Sequence, residues 1–275
     1  MENNKIVKVE SGNLKRVTRS LNITQKLLDL NNPQDNIKFE NEDSLINHIR
    51  ERVYQKLTKE YYERGLKKIK NDSSPDYLGA IKDFTVSIDA DPNNMFAYYE
   101  RAFSKNKLKD FEGAIADLTN VIEINNLYSP AFNLRGLCYV FSSNYELANQ
   151  DLLHAVNLSP NNHIYNKDLA KLYVIQNKLL EAEKYFTKVI NLNPKDIFSI
   201  KSRASIRYEL EDFQGAINDY DQIIESSDSL SPNDYEYRAD AKYKLGNIAG
   251  AFSDWEKSAK AGSESEKDKI KKYFK

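Results

Sequence analysis

"DFEGAIADLTNVIE" (residues 110–123) and "DFQGAINDYDQIIE" (residues 212–225) are one phrase written twice, 102 residues apart, with eight of fourteen letters identical. The step is three times 34. The alanine of the phrase, Ala114, returns every 34 residues as Ala80, Ala148, Ala182 and Ala216, and after 35 as Ala251. Four places later a bulky residue recurs: Phe84, Leu118, Leu152, Phe186, Tyr220 and Trp255. A small residue at i and a large one at i+4 share one face of a helix. The small one lets a neighbouring helix approach, and the large one fills the space beside it. Pro92, Pro160 and Pro194 follow helical stretches as stop signals. Ser129-Pro130 and Ser231-Pro232 read instead as an N-cap followed by proline at the first helical position.

Composition agrees with helices. Nine glycines and seven prolines in 275 residues are too few turn formers for a β-sandwich. At 40% hydrophobic and 29% charged, the chain can build a core and is not globally disordered. A net charge of −1 offers no nucleic-acid footprint. One cysteine, Cys138, forbids an internal disulfide and fits a reduced, cytoplasmic setting. The first residues lack the apolar stretch of a signal peptide, and no run approaches a membrane span, so no membrane role is expected.

A 34-residue helix-turn-helix period resembles the tetratricopeptide repeat. Phe132, Gly136, Tyr139, Ala148, Leu152 and Pro160 carry the likeness best, with Leu152 standing where that family usually has an aromatic. The resemblance implies an all-α, right-handed α-solenoid of about six helix-turn-helix repeats. The repeats read as 58–94, 95–128, 129–162, 163–196, 197–231 and 232–262. Residues 43–57 read as an N-terminal helix running into the first repeat, with Ser44 as its cap and Leu45, Ile49, Val53 and Leu57 on one face. Residues 263–275 read as a C-terminal capping helix, which an open stack needs. Residues 1–42 read as an arm and linker, with a short strand at 6–9, an amphipathic helix through Leu14, Val17, Leu21 and Leu28, and a linker at 31–36.

The internal copies act as a small alignment. An arginine precedes the small residue of the first helix: Arg64, Arg101, Arg135, Arg203 and Arg238. An aspartate precedes the bulky residue of the second: Asp83, Asp117, Asp151, Asp219 and Asp254. Repeat 4 loses both, with Leu169 and Tyr185. Joint presence and joint absence predict an Arg–carboxylate bridge joining the two helices. A row of ligand-binding arginines would not explain why the aspartate leaves with the arginine.

No phosphate loop, dinucleotide fingerprint, nucleophile elbow or zinc-protease motif occurs, so no enzyme, cofactor or metal site is expected. Cys138, between Leu137 and Tyr139, reads as a small core residue. The resemblance implies that helix positions 2, 5, 9, 12 and 13 of each repeat line a peptide groove. In this chain they include Tyr62, Leu66, Phe96, Tyr99, Phe103, Asn133, Leu137, Lys167, Lys171, Lys201 and Tyr208. Read this way, the groove grades from aromatic through basic to acidic. A chaperone carboxylate clamp of the kind some family members carry is incomplete, because only Lys167 fits and Lys171 stands in place of asparagine. The expected function is a non-enzymatic scaffold or adaptor with a protein or peptide partner. The rival expectation is an accessory or regulatory subunit of an enzyme or secretion complex.

Overall fold

The structure, a computed structural model, describes residues 42–71, 73–226 and 231–262. The strand, amphipathic helix and linker expected before residue 42, and the capping helix expected at 263–275, lie outside the described residues. Every described element is a helix: α1 (Glu42–Ile69), α2 (Tyr77–Ala90), α3 (Met95–Lys107), α4 (Phe111–Ile124), α5 (Ser129–Phe141), α6 (Tyr145–Leu158), α7 (His163–Ile175), α8 (Leu179–Leu192), α9 (Ile197–Glu209), α10 (Phe213–Ser226), α11 (Pro232–Lys244) and α12 (Ile248–Lys260). They fall into two compact units, residues Met1–Tyr128 with α1–α4 and residues Ser129–Lys275 with α5–α12. Within each unit, successive helices pack as antiparallel pairs, and each pair leans on the next.

The repeated phrase sits where a second helix begins. Asp110 precedes α4, and its side chain accepts from Gly113 N at 3.0 Å. Asp212 does the same for Gly215 N at 2.9 Å, as do Asp76 for Gly79 and Asn247 for Gly250. Each cap satisfies one of the orphan donors of a helix start. The cap side chain lies where a Cβ on the glycine would stand, which explains the small letter three places after it. Repeats 3 and 4 carry Leu147 and Glu181 there, and their caps, Asn144 and Lys178, make no side-chain bond.

One residue before the cap of the second helix in repeats 2 to 6 the backbone turns left-handed: Lys109, Ser143, Asn177 and Glu211 have φ of 64, 61, 56 and 62°, and Gly246 has 77°. Only the last is the residue type that adopts this conformation without steric cost. The alanines of the phrase are all fully buried, and so are Phe84, Leu118 and Leu152. Gly136 is equally constrained, since a Cβ there would lie 2.7 Å from Leu152 Cγ.

Two expected caps are corrected. Helix α1 begins at Glu42, so Ser44 lies inside its first turn, while Ile49 and Val53 are buried as the periodicity requires. Ser129 is the first residue of α5 rather than its cap, and its hydroxyl meets that of Ser159 at 2.9 Å. Ser231 does cap α11, in a reciprocal box in which Asp234 Oδ2 accepts from Ser231 N at 2.9 Å.

Candidate functional site

The five arginines lie against the five aspartates. Arg101 Nε and Nη2 donate to Asp117 at 2.9 and 2.7 Å, Arg135 to Asp151 at 2.7 and 2.9 Å, and Arg238 to Asp254 at 2.7 and 2.6 Å. Arg64 grips Asp83, and Arg203 grips Asp219, in the same fork. Two further partners escaped the sequence reading. A second cation one turn on shares the carboxylate: Lys68, Lys105, Arg207 and Lys242. The R-x-x-x-K/R spacing was the available signal. The arginine's third nitrogen also reaches back to the preceding repeat: Arg101 Nη1 to Thr85 at 3.0 Å, Arg203 Nη1 to Thr187 at 3.2 Å, Arg238 Nη1 to Asp221 at 2.6 Å. Burial pushes the Asp254 carboxyl up, but the Arg238 and Lys242 hydrogen bonds outweigh it and hold it below the usual carboxylate range.

Repeat 4 replaces the whole set. Leu153, Leu169, Tyr173 and Tyr185 stand where repeat 5 has Thr187, Arg203, Arg207 and Asp219, and all four belong to one apolar cluster. The Tyr173 and Tyr185 rings sit 5.6 Å apart. A buried ion pair and a well-packed apolar set of similar volume are close in energy, so the same joint can be built either way.

Two lysines of the expected groove hold carboxylates of the chain itself. Lys167 Nζ donates to Asp196 at 2.7 Å, and Lys201 pairs with Asp234 at 2.6 Å. Asn133, one repeat earlier and buried, donates to Asp168 at 3.1 Å. The fifth residues of α7 and α9 thus tie to the opening of the next first helix, while Asn133 reaches the middle of α7, and two of the three lysines are neutralised within the chain. Lys171 differs, because its nearest carboxylate, Asp168, is 3.7 Å away and its ammonium lies 5.2 Å from the centre of the Phe198 ring.

In the first unit the expected aromatics pack largely on other rings of the same unit. Tyr99 meets Tyr128 edge-on at 5.5 Å, Phe103 meets Tyr77 at 6.5 Å, and Tyr62 meets Phe84 at 5.9 Å. Leu66 is half-buried, whereas Phe96 is 53% exposed. Tyr62 also lines a cleft of about 510 Å³ with Tyr54, Thr58, Pro92 and Asn94. In the second unit Leu137 packs on the central apolar cluster and Tyr208 on Phe213 at 5.3 Å.

Besides Leu147 and Leu180 on second helices, the open apolar residues of the second unit include five at first-helix positions that the sequence reading passed over: Phe141, Ile164, Val174, Ile175 and Phe198. Applying the five groove positions in full to repeats 3 to 5 yields all of them; attention to charges and tyrosines hid the aliphatics. Phe141 is 63% exposed, and Ile175 and Phe198 are each 52% exposed. Val174, Ile175 and Phe198 wall a cleft of about 700 Å³ between α7 and α9, floored by Phe186 and Ile206 and edged by Lys171 and Glu209. That volume is in the range of ligand-binding clefts.

Cys138 is fully buried, and burial pushes its thiol up to about 12, which leaves it protonated and inert at neutral pH. Among the described residues no helix is long and apolar enough to cross a membrane.

A family model described as tetratricopeptide repeat matches residues 168–196. Over 128 residues the chain is 30% identical to human Superkiller complex protein 3, covering 46% of this chain and 8% of that protein. Over 181 residues it is 26% identical to DnaJ homolog subfamily C member 3 of Bos taurus, covering 66% of this chain and 32% of that protein. The chain therefore spans no more than 32% of the length of either relative. Among solved structures, YrrB, described as a TPR protein with an unusual peptide-binding site, has a TM-score of 0.62 at 17% identity over 69% of this chain and 97% of that one. The matched segment falls on α7 and α8, the repeat that has lost its arginine and aspartate, so what is shared is the paired-helix architecture itself, and the chain carries a tetratricopeptide repeat there.

Proposed function

We propose that the chain is a non-enzymatic adaptor, working in the cytoplasm, that binds a peptide segment of a partner protein along the first-helix faces of its repeats. The observation that carries this reading is the open apolar surface of α5, α7 and α9, with its cleft of about 700 Å³. Exposed apolar surface of this extent, concave and edged by charge, marks interaction sites more often than it marks solvent-facing protein. YrrB, whose fold this chain shares, is described as a TPR protein with an unusual peptide-binding site.

Capture of partners on the purified chain, identification by mass spectrometry and titration of the bound segment test the reading. Phe198→Ala should weaken binding by about 1–2 kcal/mol or more if the ring is an anchor. Tyr99→Ala reports on the first unit in the same way. If both variants stay folded by circular dichroism and bind like the parent, the first-helix faces are not the site.

A further inference from the structure

We propose that the cleft between α7 and α9 is an anchor subsite for an extended peptide carrying a bulky apolar side chain, with an acidic residue on one side of it and a basic residue on the other. The inference rests on the peptide-binding reading and names the ligand chemistry of one part of that surface.

The apolar requirement comes from the walls and floor. Phe186 and Ile206 are buried below, while Val174, Ile175 and Phe198 stand open around them. The Phe186 and Phe198 rings meet edge to face at 6.3 Å, so floor and wall form one continuous apolar surface. The Ser202 hydroxyl is already spent on Phe198 O at 2.8 Å. Asn177 and the exposed Ser205 also line the cleft, so a side chain entering here displaces water from a lining that is mainly but not wholly apolar.

The charge requirement comes from the two ends. Lys171 sits beside Phe198, near the start of α9. It is the least committed of the three groove lysines: Lys167 and Lys201 hold carboxylates at 2.7 and 2.6 Å, whereas Asp168 is 3.7 Å from Lys171 and already accepts from Asn133. Glu209 closes α9 at its other end, exposed and with no ion pair among the described residues. From residue 198 to residue 209 is about 16 Å of helix at 1.5 Å per residue. An extended chain covers that in about five residues. The ligand should therefore place its acid and its base roughly four to six residues apart, with the anchor between them. A polyanion such as a nucleic acid would gain at Lys171 and lose at Glu209, so the pair of ends favours a peptide of mixed charge.

Selection of a displayed library of random twelve-residue peptides on the full chain tests this. The expected winners share a bulky apolar residue with an acid on one side and a base on the other, always in the same chain direction. On the double variant Lys171→Glu/Glu209→Lys the charge order should invert, and peptides won on the parent should bind at least tenfold more weakly. Should the double variant fail to fold, Glu209→Lys alone should replace the basic preference by an acidic one. Winners without a charge pair, or with the same order on parent and variant, overturn the inference and leave the peptide-binding reading standing. No enrichment on the parent sinks both. A dimer of the purified chain that Phe198→Ala disperses would make the cleft a contact between copies, and would also overturn the inference.

Discussion

Arg203 holds Asp219 with two parallel hydrogen bonds, Nε to Oδ2 at 2.9 Å and Nη2 to Oδ1 at 2.6 Å, and both side chains lie beneath the surface. One repeat earlier the same two places are Leu169 and Tyr185. The chain thus contains its own control experiment. Asp219→Leu strands Arg203 in the interior and takes one carboxylate from Arg207, which keeps Glu183, so it should cost about 3–5 kcal/mol. The set Thr187→Leu, Arg203→Leu, Arg207→Tyr and Asp219→Tyr copies the joint of repeat 4 and should recover most of that loss. Urea unfolding of both variants decides it. A quadruple variant no more stable than the single one would mean that the apolar joint depends on something outside these four residues.

Helix caps give a matched pair of mutations. Asp110→Ala removes the bond to Gly113 N and should cost about 1 kcal/mol. Asn144→Ala, at the same place in repeat 3, removes no side-chain bond and should cost only a few tenths. Equal losses in thermal melts would contradict the capping role of the phrase.

Left-handed turn residues predict opposite signs in different repeats. Gly246→Ala puts a Cβ on a backbone at φ 77° and should destabilise by about 1 kcal/mol. Lys109→Gly, at φ 64°, relieves that cost and gives part of it back through a freer unfolded chain, so it should be neutral or stabilising by a few tenths. The shift in urea midpoint reads both.

Two carboxyls should respond oppositely to pH. Burial pushes Asp168 above the usual carboxylate range, and Asn133 and the two lysines offset this only in part. Between the unfolded value of about 3.9 and that raised value the folded state binds more protons, so this group's contribution to stability falls as pH rises. Asp168→Asn should therefore gain on the parent between pH 4 and 7. Asp254 is lowered, so its contribution is present above about 3.9 and is lost as pH falls through its folded value. The deficit of Asp254→Asn should be largest at pH 7 and shrink in acid. Parallel pH profiles for the two variants would refute the assignment.

The sequence was legible wherever the same physical demand recurs six times. In the repeated phrase each marked letter answers a local need. Asp212 caps, Gly215 makes room for the cap, Ala216 admits the neighbouring helix and Asp219 receives the arginine. Such needs recur with the backbone, so the letters that meet them recur as well. What stayed hidden involves the next or previous repeat. Lys201 looks like a free cation until Asp234, in the following repeat, is placed beside it. Arg238 finds Asp221 where Arg203 finds Thr187, so no single letter marks the position. Ser44 failed as a cap because the helix had already begun, and nothing periodic marks a helix start outside the repeats. Phe198 and Ile175 each follow from the implied groove positions, but only the packing of α7 beside α9 brings them to one cleft.

The switch from polar to apolar at repeat 4 is made across a seam, since Leu153 belongs to the repeat before Leu169. Repeats of this chain are therefore words with a grammar, in which the ending of one limits what can follow. Deleting repeat 4 would set Arg203 against Leu153, leaving a guanidinium nitrogen facing methyl groups where Thr187 now receives it. Deleting repeat 5 would set Arg238 against Thr187, an acceptor of the kind Arg203 already uses. Growth and shrinkage of such a chain by whole repeats is thus open at some seams and barred at others, and the barred ones can be read from a single pair of letters.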